Sequence, residues 1–347
     1  MLSLSGWRRW TGAITVAGML GGGLAAGAAR AADLAPLNPP QTIKLAYVPI
    51  MKFATAFVAD GRGIFKKYGL NVEFERVKSG TEAIAFLDKG SVDVGGIAIV
   101  ASLWSAWNRG LDIRVIAPGG LDPMKDGPTK LLVRKDLFDS GAIKSVADLK
   151  GKRIAAAGGP GSGGEYFVSK ALEPAKLTIR DVDLINVGNA DMPTAMKAKS
   201  IDAALLGSPY AETVLKAGDG VLLASDFTPG LMTVMFVSSG RFIKERPEAA
   251  QRFVLALAEA ARMMQGDQFF ARENMDTYLK RIDATEEAIR TGSPITFDPN
   301  VEVPLSGLAD IERVHRENGR TDYDQPLDVK KVVDETFTKK ALELLGR

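Results

Sequence analysis

The sequence predicts an α/β fold of two similar lobes, each a mostly parallel β-sheet with helices on both faces. From residue 42 onward, short apolar stretches alternate with amphipathic ones: 43–48 is typical of a strand, and 81–89 places its apolar residues on one helical face. Parallel strands need crossover connections, usually helices, so this alternation favours a parallel sheet. From residue 153 the chain repeats the same alternation.

A duplicated motif supports the division into two lobes. The turn at 79–81 precedes a predicted helix that leads into 90–94, and the turn at 188–190 precedes one that leads into 199–203. Two copies of one supersecondary unit indicate two lobes of similar build.

Two β-rich apolar stretches, 130–133 and 232–237, fall where the chain would cross between the lobes. We therefore expect two crossovers. Lobe I would comprise residues 32–125 and 232–347, with the C-terminal helices packed on it, and lobe II would comprise residues 126–231.

The first 31 residues are typical of an export signal peptide. Arg8 and Arg9 precede a weakly apolar stretch, and Ala29-Arg30-Ala31 has the small-x-small form of a cleavage site. We expect cleavage near Ala31, by either the Sec or the twin-arginine route. The remaining chain carries 41 basic and 42 acidic residues, and this near-neutral charge favours neither nucleic acid nor an anionic membrane as a partner.

Few residues in this chain could support catalysis. It contains no cysteine, which removes disulfides, thiol nucleophiles and a lipid anchor attached to cysteine. The one histidine, His315, falls in a predicted C-terminal helix and is expected on the surface. A zinc site of several histidines and a Ser-His-Asp triad at an interlobe cleft are therefore excluded. We expect a protein that is not an enzyme, with no catalytic residues, metal or cofactor.

A glycine-rich turn at 158–164 separates a predicted strand from a predicted helix. Gly159, Gly161 and Gly164 match the G-x-G-x-x-G pattern of dinucleotide-binding folds. That pattern also requires an acidic residue at the end of the next strand, where this chain has Asn186. A nucleotide-dependent enzyme is thus one alternative. More generally, backbone N–H groups at such a helix start favour an anionic or strongly polar group.

Other turns follow the carboxyl ends of predicted strands, where ligands of open α/β sheets bind. Two facing lobes would gather these turns around one cleft. Lys52 is the one cation within them. The turns are 51–53, 79–81, 97–99, 188–190 and 207–210. Four carboxylates are expected near the same cleft, where they could bind a ligand amine, act as acid or base, or face water: Asp122, Asp126, Glu165 and Asp191.

Five short segments occur in an order and spacing that match one family of binding proteins. They are 57–72 (FVADGRGIFKKYGLNV), 79–80 (SG), 90–94 (GSVDV), 148–154 (DLKGKRI) and 200–203 (SIDA). Together they resemble the periplasmic binding proteins for nitrate, aliphatic sulfonates and taurine, and their thiamine-precursor relatives. The resemblance implies a type II periplasmic-binding-protein fold, in which two crossovers join the lobes and the ligand lies between them.

The same resemblance, with the turns above, gives the predicted binding residues. They are Lys52, Phe53, Ser79, Gly80, Thr81, Ala98, Ile99, Asp122, Gly161, Ser162, Gly163, Asn189, Ser208 and Tyr210. The family often has Glu-Pro before an aromatic residue where this chain has Ser208-Pro209-Tyr210. The histidine and cysteines that thiamine-pyrimidine relatives use have no counterpart at the predicted cleft.

The predicted function is that of the periplasmic solute-binding component of an ABC transporter. The protein would capture a small polar or anionic organic solute, which is sulfonate-, nitrate- or carboxylate-like or a small heterocycle. It would close by a hinge near 118–130 and 225–234 and deliver the solute to a membrane permease. We expect a monomer. The alternatives are an exported enzyme that binds a nucleotide at 158–164 and a ligand-sensing subunit of a membrane receptor.

Overall fold

The computed structural model describes residues 34–293 and 295–346. The predicted signal peptide, residues 1–31, lies outside this part of the chain and stays a prediction. Among the described residues, no helix has both the length and the apolar character needed to cross a membrane.

The described residues form two β-sheets of five strands each. The strands are β1 (Gln41–Tyr47), β2 (Leu70–Arg76), β3 (Val94–Ala98), β4 (Ile113–Pro118), β5 (Thr129–Arg134), β6 (Arg153–Ala156), β7 (Asp183–Asn186), β8 (Ala203–Gly207), β9 (Gly220–Ala224) and β10 (Val234–Ser239). The strand order is β2-β1-β3-β10-β4 in the first sheet and β7-β6-β8-β5-β9 in the second. The α/β fold with two sheets is thus confirmed.

The two sheets follow the same pairing plan. In the first, β1 is parallel to β2 and β3, while β10 lies antiparallel between β3 and β4. In the second, β6 is parallel to β7 and β8, while β5 lies antiparallel between β8 and β9. The antiparallel strand of each sheet is the apolar stretch that the sequence assigned to a crossover. Four strands of each sheet therefore share one direction, and the fifth enters from the other lobe.

Helices cover the sheets and extend the C-terminal part of the chain. They are α1 (Ala54–Gly61), α2 (Ile64–Lys67), α3 (Gly80–Lys89), α4 (Ala101–Asn108), α5 (Lys135–Asp139), α6 (Gly163–Leu172), α7 (Met192–Lys197), α8 (Tyr210–Ala217), α9 (Gly240–Glu245), α10 (Pro247–Arg262), α11 (Arg272–Leu279), α12 (Glu286–Thr291), α13 (Leu305–Glu317) and α14 (Thr336–Leu344).

Helix α10 anchors the core of the first lobe. Its apolar stripe places Phe253 in full burial, stacked on Phe65 at 5.4 Å between ring centroids and edge-on to Phe236 of β10 at 5.9 Å. Such aromatic pairs add to the free energy gained from burial alone. The returning crossover strand is thereby fixed in the first sheet.

The sequence led us to expect that the C-terminal helices pack on the first lobe. Not all of them do. Helix α14 packs on α10 and β4 of that lobe. Helix α13, in contrast, contacts both α4 of the first lobe and α6 of the second, and α12 contacts α8 of the second lobe. The C-terminal segment therefore contacts both lobes.

The two lobes meet at the starts of their helices. The Ala101 N–H of α4 donates to the Gly161 carbonyl of the second lobe at 2.8 Å. Gly163, the first residue of α6, lies so close to Ala98 that a methyl group at Gly163 would overlap the Ala98 Cβ. The lobes are in contact here only because position 163 has no side chain.

We predict that Gly163→Ala shifts the protein towards an open arrangement of the lobes. The added methyl overlaps the Ala98 methyl, and opening the hinge relieves the overlap. Since the chain has no cysteine, spin labels on Asp88→Cys and Lys197→Cys report the interlobe distance, which should lengthen by several ångström. The double variant Gly163→Ala/Ala98→Gly, which removes the opposing methyl, should restore the original distance. Equal distances in all three proteins would contradict this account.

Candidate functional site

A cavity lies between the two sheets, at the carboxyl ends of their strands. It is lined by residues of both lobes: Val48, Ile50, Lys52, Lys78, Ser79, Gly80, Ala98, Pro128, Thr129, Ala157, Ser162, Gly163, Gly164, Phe167, Asn189, Leu205, Gly207, Ser208, Val234 and Ile295. The carboxyl ends of sheet strands are the usual ligand site of open α/β folds.

The cavity combines an apolar wall with a few polar groups. Apolar side chains contribute much of the lining, with Phe167 of α6 as its one aromatic ring. Hydroxyl groups come from Ser79 and Ser208, and an amide comes from Asn189. This mixture is typical of sites for small organic molecules, where apolar contact supplies affinity and a few hydrogen bonds fix orientation.

Two long helices begin at this cavity. Gly80 starts α3 after Ser79, and Gly163 starts α6 after Ser162. The Ser162 hydroxyl caps α6 by accepting from the Glu165 N–H at 3.1 Å, whereas the Ser79 hydroxyl makes no capping bond to the described residues. The start of α3 thus keeps unpaired donors for a polar group of a ligand.

Lys52 is buried at the floor of the cavity, and its ammonium group is already paired. Its Nζ lies 2.6 Å from Asp122 Oδ1, in the geometry of an ion pair rather than of a directed hydrogen bond. Nζ also donates to Thr233 Oγ1 at 3.3 Å and lies 4.9 Å from the centre of the Phe167 ring. The expected cation is present, but its charge is balanced within the protein.

Asp122 lies in the crossover between the lobes. Its backbone N–H donates to the Leu231 carbonyl, and its own carbonyl accepts from the Gly230 N–H. Its Oδ2 accepts from the Thr228 hydroxyl at 2.6 Å. The two crossover segments are thus joined to each other and, through Lys52, to the cavity floor.

Eight of the fourteen predicted binding residues line the cavity: Lys52, Ser79, Gly80, Ala98, Ser162, Gly163, Asn189 and Ser208. Asp122 lies behind Lys52, outside the lining. Gly161 contacts the other lobe through its carbonyl. The Tyr210 hydroxyl donates across the cleft to the Pro49 carbonyl at 3.3 Å. The role of these residues in binding stays a prediction.

The remaining three predicted residues lie away from the cavity. Phe53 belongs to the core, where it packs edge-on against Phe236 at 5.7 Å. Ile99 is fully buried, and its N–H donates to the Thr233 carbonyl. Thr81 lines a groove on the outer side of α3 and α4. In each of these turns the preceding residue lines the cavity instead: Lys52, Ala98 or Gly80.

Several lining residues were missed at the sequence level. Lys78, which directly precedes the predicted turn at 79–81, could have been found by extending that turn by one residue. Phe167 lies one helical turn after Gly163, so its direction follows once α6 is known to begin at the cleft. Ile295 comes from a distant loop, and no local signal indicates its position.

The prediction that His315 lies on the surface was wrong. His315 is fully buried at the lobe interface. The Trp104 indole N–H donates to its Nδ1 at 3.2 Å, so Nε2 carries the proton and donates to the Ser162 carbonyl at 3.3 Å. Burial lowers the pKa of His315 to about 4; the Ser162 carbonyl opposes this change, and Arg320 adds to it. His315 therefore joins both lobes as a neutral ring.

Glu165 was expected near the cleft but pairs elsewhere. Its carboxylate is fully buried and accepts from Arg320 Nε at 2.9 and 3.0 Å. Asn318 donates to the same carboxylate at 3.1 Å and to the Ser169 hydroxyl at 3.0 Å. These bonds attach the chain just after α13 to α6 of the second lobe. Of the other expected carboxylates, Asp126 and Asp191 are exposed.

The glycine-rich turn at 158–164 supports the lobe contact rather than a dinucleotide site. The Gly158 N–H donates to the Asn186 side chain at 2.9 Å, at the place where a ribose-binding acid would be needed. The Gly161 carbonyl accepts a hydrogen bond from the Ala101 N–H of the other lobe.

Comparison with known proteins agrees with this architecture. The model of the NMT1-like family matches residues 37–279. The chain belongs to that family. A relative from Brucella abortus that carries the name of a binding protein is 27% identical over 73% of this chain and 79% of its own. The alkanesulfonate-binding protein of Xanthomonas axonopodis, solved with MOPS, covers 86% of this chain and 99% of its own, with 19% identity and a TM-score of 0.68.

The predicted resemblance to periplasmic binding proteins is therefore confirmed. The expectation of a non-enzymatic binding protein agrees with the names of these two proteins. A relative from Saccharomyces cerevisiae is named as an enzyme, a pyrimidine phosphate synthase, and is 24% identical over 65% of this chain and 67% of its own. The one histidine of this chain, His315, is buried and does not line the cavity.

We predict that protonation of His315 destabilises the folded protein in acid. The ordinary pKa of histidine is 6.5 and the folded value is about 4, so between these values the unfolded chain binds more protons. The contribution of neutral His315 to the free energy of unfolding is complete above pH 6.5. It decreases as the pH falls towards 4, by about 3 kcal/mol at most. Urea unfolding at pH 7.5 and pH 4.5 measures it. His315→Gln, which keeps a donor for Ser162, should lose less stability between these two pH values; an equal loss would contradict the prediction.

Proposed function

We propose that this protein captures a small organic solute between its two lobes and delivers it to the permease of an ABC importer. The observation that carries this proposal is the cavity itself, which both lobes line at the carboxyl ends of their strands. Family membership and the alkanesulfonate-binding neighbour support the same function. We also propose export to the periplasm by the N-terminal segment, action as a monomer, and the predicted lobe boundaries.

The lining indicates how the solute would be held. Its apolar body would pack on Phe167, Leu205 and Val234, and a polar group would accept from the start of α3 at Ser79 and Gly80. Closing around the solute would form the contacts between Ala101 and Gly161 and between Tyr210 and Pro49. The paired crossover segments, joined by a bridge between Leu121 and Met232, would act as the hinge.

The test is a thermal-shift screen of sulfonates, carboxylates, nitrate and small heterocycles, followed by calorimetry on each solute that raises the melting temperature. We predict that Ser79→Val weakens binding of such a solute about three- to tenfold, because one hydrogen bond is lost. Ser91→Val, at the exposed far end of α3, is the matched control and should bind normally.

Transport is tested in cells that lack the gene, by uptake of the radiolabelled solute. Uptake should fall when the protein is absent and should return with the wild-type chain. A solute that binds outside the cleft, shown by an unchanged affinity in Ser79→Val and by unchanged interlobe distances, would contradict the proposal. Normal uptake without the protein would contradict the delivery role.

A further inference from the structure

The ammonium group of Lys52 is surrounded by groups of the protein itself. Its Nζ forms an ion pair with Asp122 at 2.6 Å, donates to the Thr233 hydroxyl at 3.3 Å, and lies 4.9 Å from the centre of the Phe167 ring. Only 5% of Lys52 is exposed. Phe167 also lines the cavity, so its ring lies beside the ammonium group at the cavity floor.

Asp122 is held so that it cannot easily leave Lys52. Only 4% of Asp122 is exposed. Thr228 holds its second oxygen, and the backbone bonds to Leu231 and Gly230 fix its place in the crossover. A buried carboxylate fixed in this way stays next to any group that approaches Lys52.

This arrangement determines which ligand groups the floor accepts. An anionic group placed on Lys52 would have to share the ammonium with Asp122, at the distance of a buried like-charge pair, which is unfavourable where water is excluded. A neutral polar or apolar group meets no such penalty. The situation differs at the cavity mouth, where Lys78 is exposed and forms no ion pair with the residues that the structure describes.

We propose that Asp122 is a built-in counter-ion that sets the charge selectivity of the cleft. It makes the floor electrically neutral, so that the floor binds the uncharged part of a solute, while any anionic group of that solute lies at the mouth near Lys78. The proposal rests on the proposed function and narrows it: the solute is a neutral molecule, or an anion with its charge at one end and an uncharged body. An inorganic anion bound at Lys52 is excluded.

The experiment uses two probes of similar size and shape, methanesulfonate and dimethyl sulfone, which differ in charge. Binding of each is measured by NMR titration and by the shift in melting temperature at pH 6. The proteins are the wild type, Asp122→Asn, and the matched control Asp126→Asn, which neutralises an exposed aspartate of the same crossover.

In Asp122→Asn the preference for methanesulfonate over dimethyl sulfone should rise at least about tenfold over the wild type, because Lys52 has lost its counter-ion. Wild type and Asp126→Asn should not prefer the anion at the floor. The proposal is overturned if the wild type already binds methanesulfonate at Lys52, seen as chemical-shift changes at Lys52 and Phe167. It is also overturned if folded Asp122→Asn gains no preference for the anion.

If Asp122→Asn does not fold, the double variant Lys52→Met/Asp122→Asn removes both charges and leaves no unpaired ion. Because the pair is neutral as a whole, this variant should bind both probes within about threefold of the wild type. A tenfold loss of methanesulfonate alone would show that Lys52 binds anions despite Asp122.

The two proposals fail separately. A gain of anion binding in Asp122→Asn, without any solute that closes the wild-type lobes, would support the counter-ion and contradict solute capture. A captured solute whose anionic group contacts Lys52 would support solute capture and contradict the counter-ion proposal.

Discussion

The close contact of two helix starts across the cleft is the constraint on which the rest of the structure depends. Gly163 of α6 touches Ala98 of β3, and the Ala101 N–H of α4 reaches the Gly161 carbonyl. In each sheet a helix begins at the carboxyl ends of the strands. The two lobes enclose a cavity only when these two helix starts meet. The glycine-rich turn at 158–164 is explained by this approach of two backbones and does not need a nucleotide.

The C-terminal segment keeps the lobes in this arrangement. After α13 the chain attaches to α6 through Arg320, Asn318 and the buried Glu165 carboxylate, while His315 bonds to groups from both lobes. Burial of such polar groups is costly unless every one has a partner, and here each does. Any opening of the cleft must therefore rearrange this network as well as the crossover.

Much of the architecture could be predicted from the sequence, because the alternation of strands and helices and the duplicated turns are local patterns. The crossover stretches were recognised for the same reason, as were Ser79, Gly163 and Asn189. What could not be predicted depends on contacts between distant segments. The burial of His315 depends on Trp104 and Ser162, which are both more than 150 residues away in the sequence. The neutralisation of Lys52 depends on Asp122, seventy residues away, whose place is fixed only when the two crossovers pair.

The central claim is that the solute lies between the lobes and holds them together. Amide hydrogen exchange of Ala101 tests this claim most directly, because this N–H donates to the Gly161 carbonyl across the cleft and exchanges when the lobes separate. The account predicts that a saturating solute slows exchange at Ala101 strongly, and at amides in the core of either sheet much less. Exchange at Ala101 that is unchanged when solute is bound would contradict it.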